Sequence, residues 1–424
     1  MEQVHKIIPG VVMQHADEAA FLWLLRDAAV SAPHYSLADL AKLDGRVEAH
    51  LDGLRIAGPE GWRVCAESLK WEEPGEVFAA AVLAFEAGDQ PRIQQILNIV
   101  AEGPALAAGL ISALGWVTFS QAEAHAQTVL AAESAVLRRV GLAAFAVHRQ
   151  HPDGALRVAV HDSDPALRAR ACKSVGELGR LDLVHEAGRA LSSENAEVRF
   201  WAAWSVALLN GPASALSALQ SIAEAPGPRQ AQALRLAMRR LPPSEALVWQ
   251  KKLSQRPEFL RLAIIAAGHL GDPELIPWLM QQMKLLPLAR PAGEAFTTIT
   301  GVDLAYRDLE TKPPENFNAG LTEDPKDENV EMDPDDNLPW PEPALVQKWW
   351  DKNRSQFQNG TRYLIGKPMT PDWLKTVLRD GRQRQRAAAA LELAIRNPGQ
   401  PLFNVKAPGF RQIELLGKPG PVIR

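Results

Sequence analysis

A helix-sized motif recurs in this chain at an interval of about 31 residues, and no other feature restricts the possible fold as strongly. The segment that opens at Asp164 superposes on the segment that opens at Asn195. The matched pairs are Leu167 with Val198, Arg168 with Arg199, Ala171 with Ala202, Ser174 with Ser205, Val175 with Val206 and Leu178 with Leu209. Because the apolar and small positions follow the spacing i, i+4, i+7, i+8, i+11, they lie on one stripe of a helix.

The motif also occurs before and after these two copies. The earlier copy comprises Leu137, Arg138, Gly141, Ala144, Phe145 and His148, and the later copy comprises Leu260, Arg261, Ile264, Ala267 and Gly268. The i+7 residue is small in every copy, which lets a neighbouring helix approach closely. A unit of about 30 residues buries such a stripe only against adjacent units, so the pattern predicts an α-solenoid of antiparallel helix pairs. The segments DPALRARACKSVGELG and NAEVRFWAAWSVALLNG resemble HEAT repeats.

The rest of the chain also lacks strand patterns, so we expect an all-α protein. Proline-containing turn signals arrive every 12 to 18 residues and separate short helices. The expected parts are an N-terminal helical cap region (1–130), a HEAT-like array (131–300), an acidic proline-rich loop (301–343) and a small basic helical region with a tail (344–424). In the first part the predicted helices are His15–Ser31, Leu37–Gly53, Pro59–Trp71, Glu76–Ala87, Gln90–Glu102 and Ala105–Trp116, with the stretch Phe21–Asp27 as the apolar cap.

An acidic insert interrupts the helices between Asp308 and Glu342. It holds twelve carboxylates and two lysines, whereas the whole chain has a net charge of only -4. Its six prolines and few large apolar residues predict a mobile loop, which is either a solvated spacer or a segment that binds a protein partner. The candidate protein-binding residues are Glu323, Asp324, Asp327, Glu328, Glu331, Asp333, Asp335 and Asp336. An EF-hand calcium loop is excluded, because the DxDxDG register is missing.

Two sets of arginines have more than one interpretation. The motif arginines Arg138, Arg168, Arg199 and Arg261 either form a ladder that bonds acidic or carbonyl groups of adjacent repeats, or bind a ligand on the repeat face. A second set, Arg382, Arg384 and Arg386, forms a basic patch, with Arg382 and Arg386 one turn apart. It could be a solvated face, a docking surface for the acidic loop, or a partner or phosphate site. Nearby, Trp340, Trp349, Trp350 and Trp373 are expected to form a small core instead of a base-stacking platform.

No catalytic motif occurs in the sequence. P-loop, GxGxxG, GxSxG and HExxH patterns are all missing, and we expect no cofactor, no metal and no enzyme activity. Cys65 and Cys172 have no further cysteines to form a metal knuckle or a disulfide framework, which favours a reducing compartment. No apolar stretch reaches membrane-spanning length and no signal peptide is recognisable, so a cytoplasmic location is expected.

Several segments resemble one bacterial family. They are HADEAAFLWLLRDAAV, SLADLAKLDGRVEAHLDGLRIAG, AGEAFTTITGVDL, NLPWPEPALVQKWW, RYLIGKPMTPDWLKTVLRDGRQRQRAAAALELAI and PLFNVKAP, which together extend from about His15 to Pro408. The chain is similar to HEAT-repeat-like proteins encoded in type VI secretion gene islands, near spike (VgrG), PAAR and effector genes. The ITG…LPWP…WW and GRQRQR blocks are the specific part of the resemblance.

This resemblance implies a binding function without catalysis. Proteins encoded in such islands act as immunity proteins that neutralise a toxic effector, or as adaptors that load an effector onto the spike. Because nuclease toxins present cationic clefts for DNA, the acidic insert favours an immunity protein for a nuclease toxin, with the adaptor as the alternative. The expected partner is then a secreted effector toxin, with VgrG or PAAR components as further possibilities and with neither a membrane nor nucleic acid bound directly.

Overall fold

The structure, a computed structural model, describes residues 7–152, 154–315, 317, 319–320 and 332–423. These residues form 22 α-helices, several short 3-10 turns and four two-residue strands. The predicted all-α, HEAT-like solenoid class is therefore confirmed. The chain divides into two compact units, which are Met1–Ser31, Tyr35–Ala215 and Asn397–Pro419 in the first, and Ala32–His34, Leu216–Arg396 and Gly420–Arg424 in the second. The four sequence segments bounded at residues 130, 300 and 343 stay a prediction.

The first unit contains twelve consecutive helices and a C-terminal one. They are α1 (Pro9–Ala29), α2 (Leu37–Ala57), α3 (Pro59–Ser68), α4 (Pro74–Ala87), α5 (Gln90–Glu102), α6 (Ala107–Trp116), α7 (Phe119–Leu130), α8 (Ala135–Val147), α9 (Ala155–Ala159), α10 (Pro165–Glu177), α11 (Val184–Gly188) and α12 (Ala196–Leu208), followed much later by α22 (Gly409–Leu416). The helices predicted before residue 130 are confirmed, with ends shifted by up to six residues. Ser36 and Asp39 form a capping box at the start of α2.

The repeat motif explains how α8, α10 and α12 pack against one another. Asp164 and Asn195 cap α10 and α12 by accepting from the backbone amides of Leu167 and Val198, at 2.7 and 3.1 Å. The small i+7 residue lies at the contact, because the buried hydroxyl of Ser205 donates to the carbonyl of Cys172 at 2.7 Å. A Cβ on Gly176 would lie 2.6 Å from Oγ and 3.0 Å from Cα of Ser205, so α10 and α12 approach too closely for a side chain there.

The last part of the first unit, residues 397–419, runs along the ends of its repeats. The amide of Leu402 donates to the carbonyl of Glu177 at 2.9 Å. Near the chain's end, Arg411 donates to the carbonyls of Gly115, Trp116 and Val117, which close the C-terminus of α6. These carbonyls have no intrahelical partner, so an arginine beside them satisfies them and complements the helix dipole. The segment therefore fastens helices that are far from it in sequence.

The predicted apolar cap at Phe21–Asp27 is only partly buried. Trp23 lies in the core of the first unit, whereas Phe21 and Leu24 are exposed. Across the described ranges no single helix is both long and apolar enough to cross a membrane, and one bent pair, Gln90–Glu102 with Pro104–Trp116, passes on length and composition alone.

The second unit is built from the remaining helices, and the division between the units falls within α13 (Ala213–Ala223). The others are α14 (Gln230–Arg240), α15 (Pro243–Ser254), α16 (Leu260–Leu270), α17 (Ile276–Gln282), α18 (Leu286–Thr300), α19 (Pro343–Asn353), α20 (Pro371–Asp380) and α21 (Gln383–Arg396). Two antiparallel ladders accompany them: β1 (Glu310–Thr311) pairs with β2 (Trp340–Pro341), and β3 (Tyr363–Leu364) pairs with β4 (Lys367–Pro368). α16 packs on α14 and α18, and α14 also contacts α21.

Candidate functional site

The two ends of the acidic insert are joined by backbone pairing at its base. In the β1–β2 ladder Glu310 faces Pro341 and Thr311 faces Trp340. The amide of Glu342 adds a hydrogen bond to the carbonyl of Leu309 at 2.8 Å. Because strands so short are not stable alone, the apolar side chains around the ladder must hold it, and Leu309, Leu338 and Trp340 are buried. We call residues 308–320 and 332–342 the stem of the insert.

Arg290 of α18 binds the stem through its guanidinium group. Its guanidinium lies 4.6 Å from the ring centroid of Trp340, and that ring meets Phe317 edge-to-face at 5.3 Å. The same guanidinium donates to the Asp333 carboxylate at 2.6 Å and to the Asp335 carbonyl at 3.2 Å. A planar cation can stack on an aromatic ring and donate in its own plane at the same time, so one buried side chain binds both halves of the stem.

Asp335 makes a second ionic contact between the stem and the repeats. Its two carboxylate oxygens accept from Arg261 of α16 at 2.7 and 2.5 Å, in a two-bond pair. Asp335 is 5% exposed, whereas the side chain of the adjacent Asp336 is exposed and bonds to Asn337. The prediction that the whole insert is mobile is therefore wrong for its ends. The sequence did not indicate that Asp333 and Asp335 would be held against the helices, because carboxylates usually stay in water. Pairing with arginines offsets the free-energy cost of removing them from water.

The stem brings together the two positions between which the chain leaves and re-enters it, near residues 320 and 332. A Cβ on Gly320 would lie 3.2 Å from the backbone nitrogen of Asp333, so the two positions are adjacent. Glu323, Asp324, Asp327, Glu328 and Glu331 lie outside the described residues. Their role as a binding element stays a prediction.

The motif arginines bond to neighbouring backbone and acidic groups. Arg138 and Arg199 each donate to the backbone carbonyls five and six residues before them, which tightens the turn that precedes their helix. Arg168 donates to the hydroxyl of Ser193 at 3.3 Å, and Arg261 binds Asp335 as described above. Arg138 also pairs with Asp162, 24 residues further along the chain, at 3.3 Å. The ladder between adjacent repeats stays a prediction. Ligand binding by these arginines stays a prediction.

The basic patch is divided among internal partners. Arg386 is fully buried, where its Nε donates to the Leu378 carbonyl at 2.7 Å and burial lowers its pKa to about 10. Arg382 precedes α21 and pairs with Asp303 at 3.0 Å, while Arg384 pairs with Glu294 at 2.9 Å. The expectation of one exposed face carrying Arg382 and Arg386 is therefore wrong, because Arg386 is part of the core.

A buried charge network, absent from the sequence predictions, lies between α14 and α21. Glu392 accepts from Arg239 at 2.8 Å and from Arg362 at 2.6 Å. Burial opposes the ionisation of Glu392, but the two arginines lower its pKa below its ordinary value. Burial, with Arg239 beside it, lowers the pKa of His269 well below its usual range, so the neutral Nδ1 accepts from Arg239 at 2.9 Å. A lone carboxylate in the apolar run AAAALELAI was the available sequence signal for this network.

The predicted tryptophan core consists of separate contacts with the last repeat and with the C-terminal helices. Trp340 stacks on Arg290, and Trp349 meets Phe296 of α18 edge-to-face at 5.7 Å. The Trp373 indole donates to the Leu364 carbonyl at 2.6 Å.

No group of three or more metal-ligating side chains occurs within the described ranges. The two thiols are buried, which raises the pKa of Cys65 to about 12 and that of Cys172 to about 11, so neither supplies a thiolate near neutral pH. The side chains that the stem and the adjacent helices bring together are carboxylates and arginines, which suit ionic recognition.

Comparison with known proteins agrees with the repeat pattern. Residues 152–239 match the model of HEAT repeats, a range that includes the copies opening at Asp164 and Asn195. No curated protein matches the chain. Among solved structures, the crystal structure of an engineered protein matches at 15% sequence identity, covering 69% of this chain and 90% of that one, with a TM-score of 0.30. The chain is thus HEAT-repeat-like, and HEAT repeats are typical of protein-interaction scaffolds.

Proposed function

We propose that this chain is a non-catalytic protein-binding scaffold whose partner is a cationic protein, specifically a nuclease toxin delivered by type VI secretion that it neutralises in the cytoplasm. The observation that carries the proposal is the anchored stem, in which Arg261 and Arg290 hold Asp335 and Asp333. Such an anchor fixes the place at which the insert leaves the repeats. A spacer between domains has no need of that anchoring.

The charge of the insert suits a cationic partner. Residues 321–331 contain five carboxylates and one lysine, whereas the chain outside the insert has an excess of basic residues. Clustered charge of one sign raises the association rate with an oppositely charged surface by roughly 10 to 1,000-fold at low salt. A nuclease must keep a cationic cleft to bind DNA, so carboxylates can occupy that cleft where phosphates would otherwise lie.

The decisive experiment is co-expression with the effector encoded by the adjacent gene. We expect the full chain to restore growth and to form a complex with the toxin on size exclusion. A variant with Glu323, Asp324, Asp327, Glu328 and Glu331 changed to Gln or Asn should protect poorly. A matched control changes five exposed glutamates of the first unit, namely Glu72, Glu73, Glu102, Glu123 and Glu133, to Gln.

The outcomes separate immunity from the adaptor role. Full protection by the unaltered chain and by the control variant, with loss of protection in the insert variant, supports the proposal. If the chain co-purifies with the effector and with VgrG or PAAR components but does not restore growth, it is an adaptor. Unchanged killing without any complex contradicts both roles.

A further inference from the structure

Two histidines face each other across the first helix pair of the first unit. His15 lies in the first half of α1 and His50 in the second half of α2, and these two helices pack against each other. The two Nδ1 atoms are 3.1 Å apart, and the ring centroids are separated by 5.1 Å with an interplanar angle of 63°. Both side chains are half-buried, so the pair is held between the helices and is still reached by solvent.

Gly53 of α2 provides the space for this pair. A Cβ at that position would lie 2.7 Å from Cδ2 and Nε2 of His15 and 2.8 Å from its Cε1. Side chains do not approach one another so closely, so a larger residue there would push the His15 ring away from His50. Glycine weakens the interior of a helix, and α2 has one at the point where the ring needs room.

The distance between the two Nδ1 atoms suits a shared metal ion. Zn²⁺ binds histidine nitrogen at about 2.0–2.1 Å. Two bonds of that length between atoms 3.1 Å apart meet at the metal with an N–Zn–N angle of about 100°, which is close to the tetrahedral value. The two lone pairs must turn toward a common point. Rotation about χ2 of histidine permits this, because that torsion has broad minima.

Both imidazoles can supply a lone pair near neutral pH. In the hydrogen-bonded pair one Nδ1 carries a proton and the other accepts it. When a metal ion binds, the proton of the donor ring moves to its Nε2, and no proton is released. Burial is the main reason why the pKa of His50 is lowered, with His15 and Arg46 acting in the same direction and Glu18 against it. A lowered pKa favours the neutral imidazole that a metal requires.

We propose that His15 and His50 form a binding site for one divalent transition-metal ion, with Zn²⁺ held by the two Nδ1 atoms and by water at its remaining positions. Imidazole nitrogen suits Zn²⁺, whereas Mg²⁺ and Ca²⁺ prefer oxygen ligands. The bound ion bridges α1 and α2 and so stabilises the first helix pair. This site does not rest on the proposed function of the acidic insert. No motif in the sequence indicates it, because the two histidines are 35 residues apart.

The test is a titration of the metal-free full chain with zinc chloride by isothermal titration calorimetry at about pH 7.5, where both imidazoles are neutral. We expect the chain to bind one equivalent of Zn²⁺ at this pair. His15→Gln and His50→Gln should each weaken that binding at least about tenfold, since even outer-shell partners of a metal contribute about 10 to 100-fold. His161→Gln is the matched control, because His161 is an exposed histidine of the same unit.

Gly53→Ala tests the geometry while both ligands remain. Its methyl group should displace the His15 ring and weaken Zn²⁺ binding about tenfold, as the loss of a positioning group does. Alanine is a better helix former than glycine, so α2 itself is not weakened. This variant keeps the test valid if a histidine variant does not fold.

Zn²⁺ binding that is unchanged in His161→Gln and weakened in the two histidine variants and in Gly53→Ala would support the site. A chain that binds no Zn²⁺ would overturn it and leave the pair as a hydrogen bond between helices. Equal affinity of the unaltered chain, His15→Gln and His50→Gln would overturn it as well. Binding of Mg²⁺ with the same dependence on His15 would contradict the assignment to a transition metal.

Discussion

Replacing Asp335 by Asn should release the stem of the acidic insert from the repeats. The change removes one charge and keeps the size of the side chain, so any effect comes from the pair with Arg261. In the folded chain that carboxylate is 5% exposed and accepts two bonds from one guanidinium. Asparagine can accept one of them, and its NH2 group would face the arginine's own donors.

The free energy by which Asp335→Asn weakens the attachment of the stem follows from these contacts. One charge-assisted hydrogen bond is lost and a buried donor is placed against a cation, at a cost of about 2 kcal/mol. Arg261 is only partly buried, with 40% of its side chain exposed, so water can solvate the freed guanidinium and the larger penalty for a fully buried pair does not apply. A cost of about 2 kcal/mol raises the population of the detached stem roughly 30-fold.

Native-state hydrogen exchange measures that population directly. The amides of Leu338 and Glu342, which donate to the Asp335 and Leu309 carbonyls, should exchange about 30 times faster in Asp335→Asn. Asp336→Asn is the matched control, because it makes the same charge change one residue later on an exposed side chain that bonds to Asn337 and to no arginine among the described residues. If both variants exchange at the same rate, the stem is not held by Asp335 and the reasoning fails.

Three further predictions concern stability. Glu392→Gln should lower the free energy of unfolding of the second unit by about 3 to 5 kcal/mol at pH 7, because Arg239 and Arg362 lose their common counter-charge; a urea midpoint within error of the unaltered chain would contradict this. Burial opposes ionisation of Glu177, but Arg170, Lys173 and Arg149 lower its pKa to about 2. A pKa below the unfolded value means that this stabilisation is present above about pH 4.5 and is lost as the pH falls toward 2, by about 3 kcal/mol, so Glu177→Gln should flatten the acid limb of a pH-dependent urea titration. Gly176→Ala should lower the free energy of unfolding by about 1 to 3 kcal/mol, because the added methyl group pushes α10 away from Ser205 of α12. An unchanged thermal midpoint would refute the close packing.

The repeat helices could be predicted from the sequence because their information is local. Apolar spacing and capping residues such as Asp164 and Asn195 lie within a few residues of the helices they define. The small i+7 position of α12 indicated a close approach to α10 at Ser205, whereas Gly176, where the two helices also lie very close, was not among the predicted positions.

The stem could not be predicted in the same way. Arg261 and Asp335 are 74 residues apart, and Arg290 and Asp333 are 43 apart. Nothing near Asp335 distinguishes it from the exposed Asp336, since composition assigns both to an acidic, proline-rich segment. Likewise Arg386 and Arg384 look alike in GRQRQR, although one is buried and the other pairs at the surface. Which charges are paired is decided by tertiary neighbours.

The measurement that tests the proposed function most directly is the association rate of the chain with the nuclease toxin domain proposed as its partner, by stopped-flow at about 50 and about 300 mM salt. The variant with Glu323, Asp324, Asp327, Glu328 and Glu331 neutralised keeps the stem anchors Asp333 and Asp335, so it alters charge without detaching the insert. The account predicts that this variant associates at least about tenfold more slowly at low salt and loses most of the salt dependence. Equal association rates and equal salt dependence for the variant and the unaltered chain would contradict it.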